Sequence, residues 1–164
     1  REYLASREIT REVADEWESK LDGEGGNYAF NDLHAALAFA ATGRDGAMAR
    51  LLHRVAAAAE GADTNAGMER EVGMPLIRGI AAYGRGRFDE AADLISPVRD
   101  IAHRFGGSHA QRDILSLTLI DAARRAGRAS LAKHVLAERL VAKPGGAWGR
   151  RLLARIEATP AATH

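Results

Sequence analysis

Histidine and aspartate four residues apart share one face of a helix, and the chain places His109 and Asp113 at that spacing. An imidazole beside a carboxylate is the smallest unit capable of acid/base work. Joined by His34 and Asp32 from another segment, it would make a donor set for a metal ion. No nucleophile, second ligand pair or phosphate loop stands beside these residues, so the expectation is structural. Asp113 and Arg112 should form ion pairs, and His109 should satisfy backbone groups near Gly106-Gly107. A small-molecule binder or enzyme with a polar pocket of His34, His109 and Asp113 is the alternative. Gly84-Arg85-Gly86-Arg87 carries two arginines but lacks the preceding strand and following lysine of a phosphate cradle. Arg150, Arg151 and Arg155 make one side of the last segment basic, without the interleaved aromatics of a nucleic-acid surface.

The elements that would position these groups are helices. Aromatics are only 5% of the 164 residues, alanine is abundant, and no runs of β-branched residues suggest strands. Apolar residues recur at helical spacing from Glu2 to Leu21 (Leu4, Ile9, Val13, Trp17), from Asn31 or Asp32 as cap to Gly43, and from Asp45 to Ala59. The pattern resumes from Thr64 or Asn65 to Gly84, with a break expected near Gly73 because Pro75 lacks an amide donor. Further helices are expected from Arg87 to Phe105 with a bend at Pro97, from a Ser108 cap through the strongly apolar Ile114–Ala123 stretch, from Ala129 to Ala142, and from Ala147 to Ala158. The prediction is an all-α chain of about seven to eight antiparallel helices, forming one domain over 1–158 with a flexible tail at 159–164.

With 23 basic and 22 acidic residues the formal charge is +1, so no global field draws in nucleic acid or an anionic membrane. No apolar run approaches the ~20 residues of a spanning helix. The absence of cysteine excludes disulfides and thiolate metal sites, and it favours a reducing, cytoplasmic setting. The abrupt start at Arg1 reads as a fragment of a longer chain.

Glycine-hinged helices call for a search for repeats. In Gly79-Ile80-Ala81-Ala82-Tyr83-Gly84-Arg85-Gly86-Arg87-Phe88-Asp89-Glu90-Ala91, four residues match the heart of a tetratricopeptide repeat. Gly79 is the small residue of the first helix, Gly86 the turn, Phe88 the aromatic and Ala91 the small residue at the crossing. A less sharp copy runs from Ala122 through Gly127 to Ala132, with Pro144 twelve residues later. A third spans Leu33 to Val55, where Gly43 takes the turn and Met48 stands in place of alanine. The glycines recur at wider intervals than the standard repeat of about 34 residues. Asp32-Leu33-His34-Ala35-Ala36 before Gly43, together with Gly106 to Asp113, resembles the C-terminal part of the tetratricopeptide repeat protein 38 family, over about Trp17 to Trp148. The resemblance implies a right-handed α-α superhelix and supplies no catalytic residue, cofactor or metal. The competing fold is a plain helical bundle.

In such a solenoid the first helix of each pair lines a concave face. Aligning on the turn glycines puts Phe30, His34, Ile77, Ile80, Tyr83, Thr118, Asp121, Arg124 and Arg125 there. The functional expectation is a protein-interaction scaffold, not an enzyme. Tyr83 and Phe30 would anchor a peptide or partner domain while Arg124 and Arg125 hold a carboxylate. His109 and Asp113 complete the candidate partner-binding set. An exposed solenoid end that another copy could cover adds an expectation of self-association.

Overall fold

A computed structural model describes residues 7–21, 29–105, 109–142 and 147–157. The helices are α1 (Arg7–Ser19), α2 (Ala29–Thr42), α3 (Asp45–Ala59), α4 (Thr64–Met68), α5 (Met74–Gly84), α6 (Phe88–Arg99), α7 (His109–Arg125), α8 (Ala129–Ala142) and α9 (Ala147–Glu157). Between α4 and α5 the chain never leaves the helical path. A π-helical turn, Glu69–Gly73, joins them, and a short 3-10 turn, Ala102–Phe105, follows α6. The described residues are thus all-helical, without a strand.

Three hinges share one construction. Gly43, Gly86 and Gly127 have φ of 69°, 75° and 75°, the left-handed region that a side chain resists. Each is followed by an arginine whose amide bonds back to the helix just ended. Arg44 N donates to Phe39 O (3.0 Å), Arg87 N to Ala82 O (2.9 Å) and Arg128 N to Ala123 O (2.8 Å), the closure of a Schellman motif. The same arginines open the next helix: their carbonyls accept from Met48 N, Ala91 N and Ala132 N at 2.9, 3.0 and 3.1 Å. Those three acceptor-paired residues are all buried, so Met48 fills the position that alanine takes in the other two copies. One glycine and one arginine therefore end a helix, reverse the chain and start its partner, with no loop between.

Close approach at the crossings explains other small residues. A Cβ on Gly79 would lie 2.6 Å from Ile95 Cγ1, so α5 and α6 touch only because residue 79 has no side chain. At Gly84 a Cβ would meet Ala40 Cβ at 2.9 Å, fixing α5 against α2. Helices pack on their chain neighbours throughout, and α5 also packs on α2 and α3. The resulting core is continuous from Ala14 through Phe39, Leu51, Ile77, Ile95, Leu119 and Leu136 to Ile156.

Several expected boundaries move. The second helix starts at Ala29, so neither Asn31 nor Asp32 caps it. Ala29 is itself buried in the core. The cap of α4 is Asp63, whose carboxylate accepts from Ala66 N at 2.7 Å, not Thr64 or Asn65. The break near Gly73 takes the form of the π turn: Met74 N bonds to Glu69 O, one residue further back than in an α-helix, and Pro75, which has no amide to donate, follows in the first turn of α5. Pro97 lies inside α6, which ends soon after at Arg99. Among the described side chains of α1, Ala14 is buried and Trp17 packs against the core as expected, whereas Val13 is exposed. The residues before Arg7, the Ser108 cap and the 159–164 tail lie outside the described residues.

Candidate functional site

The last turns of α5 and α7 carry four of the residues expected on the binding face, and these meet. The Tyr83 hydroxyl donates to Asp121 Oδ2 at 2.6 Å. Arg124 Nη2 donates to Asp121 Oδ1 at 2.7 Å, and Arg125 Nε lies 2.7 Å from Oδ2. Phe88, from the start of α6, closes the group: its ring stands edge-on to Tyr83 at 5.6 Å, and the Arg125 guanidinium lies over it at 4.9 Å. Burial would raise the Asp121 carboxyl, but the hydrogen bonds from Tyr83 and Arg124 and the arginine charges outweigh it and hold the carboxyl below its ordinary value. The Tyr83 phenol is pushed up to about 12 by burial and by Asp121, so it stays a neutral donor. The group contains one carboxylate and two guanidiniums, and it keeps a surplus positive charge. Arg124 and Arg125 are 46% and 48% exposed, so that surplus faces solvent.

The other expected residues sit elsewhere. His34 Nδ1–H donates to the Phe30 carbonyl at 2.7 Å, and the two rings meet edge to face at 4.4 Å. Both residues belong to one turn of α2. Asp113 receives Arg139 in a two-pronged pair, Nε to Oδ1 and Nη2 to Oδ2, both 2.8 Å, which ties α7 to α8. The His109 side chain lies outside the described residues. No group of three or more histidine, aspartate or glutamate side chains suited to a metal ion occurs among the described residues. No helix among them is long and apolar enough to cross a membrane.

A second charged group lies at the π turn, and no sequence motif points to it. Asp32 on α2 is 1% exposed and Glu69 on the π turn 0%. Arg54 on α3 pairs with Asp32 Oδ1, while Asp32 Oδ2, Arg54 Nε and both Glu69 carboxyl oxygens have no hydrogen-bond partner. Glu69 rests on a glycine: a Cβ at Gly73 would fall 2.1 Å from its Oε2. Burial, then the neighbouring Asp32 charge, pushes the Glu69 carboxyl up to about 7, against the opposing pull of Arg54. Asp32 is also raised by burial, with Arg54 again pulling the other way. The signal was present in the sequence, since Glu69 falls three residues after Ala66 and three before Val72, in register with the buried stripe.

Arginines also stitch consecutive hinges. Arg85 pairs with Asp45 beside the Gly43 turn at 2.8 Å, and Arg128 beside the Gly127 turn reaches Asp93 at 2.6 Å and Asp89 at 3.5 Å. Arg44 reaches back to Asp15 and Glu18 of α1 at 2.5 and 2.7 Å. The arginines after Gly43 and Gly127 thus serve as both backbone device and side-chain tie, whereas at the middle hinge Arg85 makes the tie and Arg87 pairs with Glu90 of the helix it opens at 2.7 Å. No protein-family model matches the chain, and no solved structure matches it.

Proposed function

We propose that this chain is a tetratricopeptide-like α-α superhelix serving as a protein-interaction scaffold, related to the tetratricopeptide repeat protein 38 family and working in the cytoplasm. The observation that carries the reading is the identical Gly-Arg hinge at Gly43, Gly86 and Gly127, each joining a helix pair that stacks on the next. A chain built from equivalent hairpins presents equivalent helices along one side, the usual arrangement for receiving an extended partner.

On that side the α5–α7 group is the docking point for a peptide carboxylate. Asp121 fixes both arginines in place, their surplus charge remains exposed, and the Tyr83 and Phe88 rings give an apolar floor beside them. Held rotamers lose less entropy on binding than free ones. The test is fluorescence anisotropy with a panel of acidic and neutral peptides. Acidic peptides should bind, more weakly at high salt, and the Arg124→Ala/Arg125→Ala variant should lose roughly tenfold in affinity. Equal binding of acidic and neutral peptides, or no loss in the variant, would reject this docking point.

A further inference from the structure

We propose that Glu69, Asp32 and Arg54 form a proton-operated latch on the π turn: with a proton on the Glu69 carboxyl the turn stays seated against α2 and α3, and ionisation of that carboxyl releases it. Three geometric facts place the device. Both carboxylates are almost fully buried, and the one guanidinium between the helices is already engaged with Asp32. Both Glu69 oxygens lack partners, an arrangement that a carboxylic acid tolerates far better than a carboxylate. The seat of the carboxyl is Gly73, the last residue of the one π-helical stretch among the described residues, and the register there is the irregular one.

The groups on the elements packed against this turn divide by side. Asp32 from α2 and Arg54 from α3 face Glu69. On the outer side Arg70 donates to the Ala59 and Gly61 carbonyls, and Glu71 pairs with Arg104 of the 3-10 turn. Asp63 is occupied in capping α4, and Arg78 of α5 is exposed. Only one cation therefore faces two carboxylates, and it cannot neutralise both. The second carboxylate must hold a proton or leave.

The direction of the effect follows from the proton count. Glu69 holds its proton up to about pH 7 when folded and only through the ordinary carboxylate range when released. The seated state is therefore favoured most in acid and loses its advantage as pH rises through neutrality, after which the loss levels off. Between pH 6 and 8 the opening equilibrium of the turn should grow by about tenfold.

Hydrogen exchange of the intact chain tests this. After correction for intrinsic exchange, amides of residues 69–74 should exchange about tenfold faster at pH 8 than at pH 6, with α7 unaffected, and Glu69→Gln should abolish the pH dependence. The same pH dependence in Glu69→Gln, or none in the wild type, overturns the latch. If Glu69→Gln does not fold, carboxyl NMR titration of the wild-type chain decides: a glutamate titrating near neutrality supports the latch, and all glutamates titrating in the ordinary range refute it.

Discussion

Two charged groups in this molecule have nearly the same members and opposite physics. At the ends of α5 and α7 one carboxylate, Asp121, is met by Tyr83, Arg124 and Arg125, and each of its oxygens has a donor. At the π turn two carboxylates share one guanidinium, and four polar atoms are left without partners. The first group lies half-open to solvent and holds its carboxyl in the charged form. The second is shut away from water and favours the neutral form of Glu69. Burial alone does not separate them, since it raises both carboxyls; the ratio of donors to acceptors decides which way each carboxyl goes.

Changes that orphan a charge and changes that relieve one sharpen this contrast. The largest effect is expected at Asp113, another well-partnered carboxylate. Asp113→Ala removes the two-pronged acceptor of Arg139, which is 15% exposed, and should cost roughly 3 kcal/mol in urea unfolding. A cost below about 1 kcal/mol would mean that partnering matters less here than the comparison requires. The next is Gly73→Ala, whose new Cβ would collide with Glu69 Oε2 and force the carboxyl from its seat. A loss of about 1–3 kcal/mol is expected, and it should shrink sharply when Glu69→Ala is made as well, because the clash then disappears. Additive losses in that double-mutant cycle would place the cost in the backbone and not in the carboxyl.

The sequence made the hinges legible because a left-handed glycine leaves no substitute: Gly43, Gly86 and Gly127 punctuate the apolar periodicity and are the points where the chain turns. The close crossing at Gly79 is legible for a different reason: the repeat pattern calls for a small residue there, and a Cβ would lie 2.6 Å from Ile95 Cγ1. Gathering Tyr83, Asp121, Arg124 and Arg125 on one face also followed from aligning the hinges. The sequence did not reveal that the arginines are held by Asp121, because a pairing between α5 and α7 depends on how two hairpins stack. Glu69 is hard to place from sequence because its polarity suggests solvent, whereas the stripe through Ala66, Val72 and Leu76 carries it inward. Asp32 reads as a cap in the sequence because its partner, Arg54, lies on another helix. Local patterns reveal where a chain turns and which face is apolar. They do not reveal how many donors another helix brings to a carboxylate.

The smallest expected effect is at Tyr83, where only one of three donors is removed. Tyr83→Phe keeps the ring beside Phe88 and deletes the hydroxyl that meets Asp121 at 2.6 Å. Arg124 and Arg125 still serve both carboxylate oxygens, so no charge is orphaned and the cost should be only about 0.5–1.5 kcal/mol. Its pH dependence carries the sharper information. The folded Asp121 carboxyl lies below the ordinary range, so its stabilisation is present above that range and is lost as pH falls through the folded value. Part of that stabilisation comes through Tyr83, so the gap between wild type and Tyr83→Phe should be widest at neutral pH and close in acid. Thermal melts across the acid range measure it. A gap that stays constant to low pH would assign the hydroxyl a role independent of the Asp121 charge, and it would remove the donor count as the reason the two groups differ.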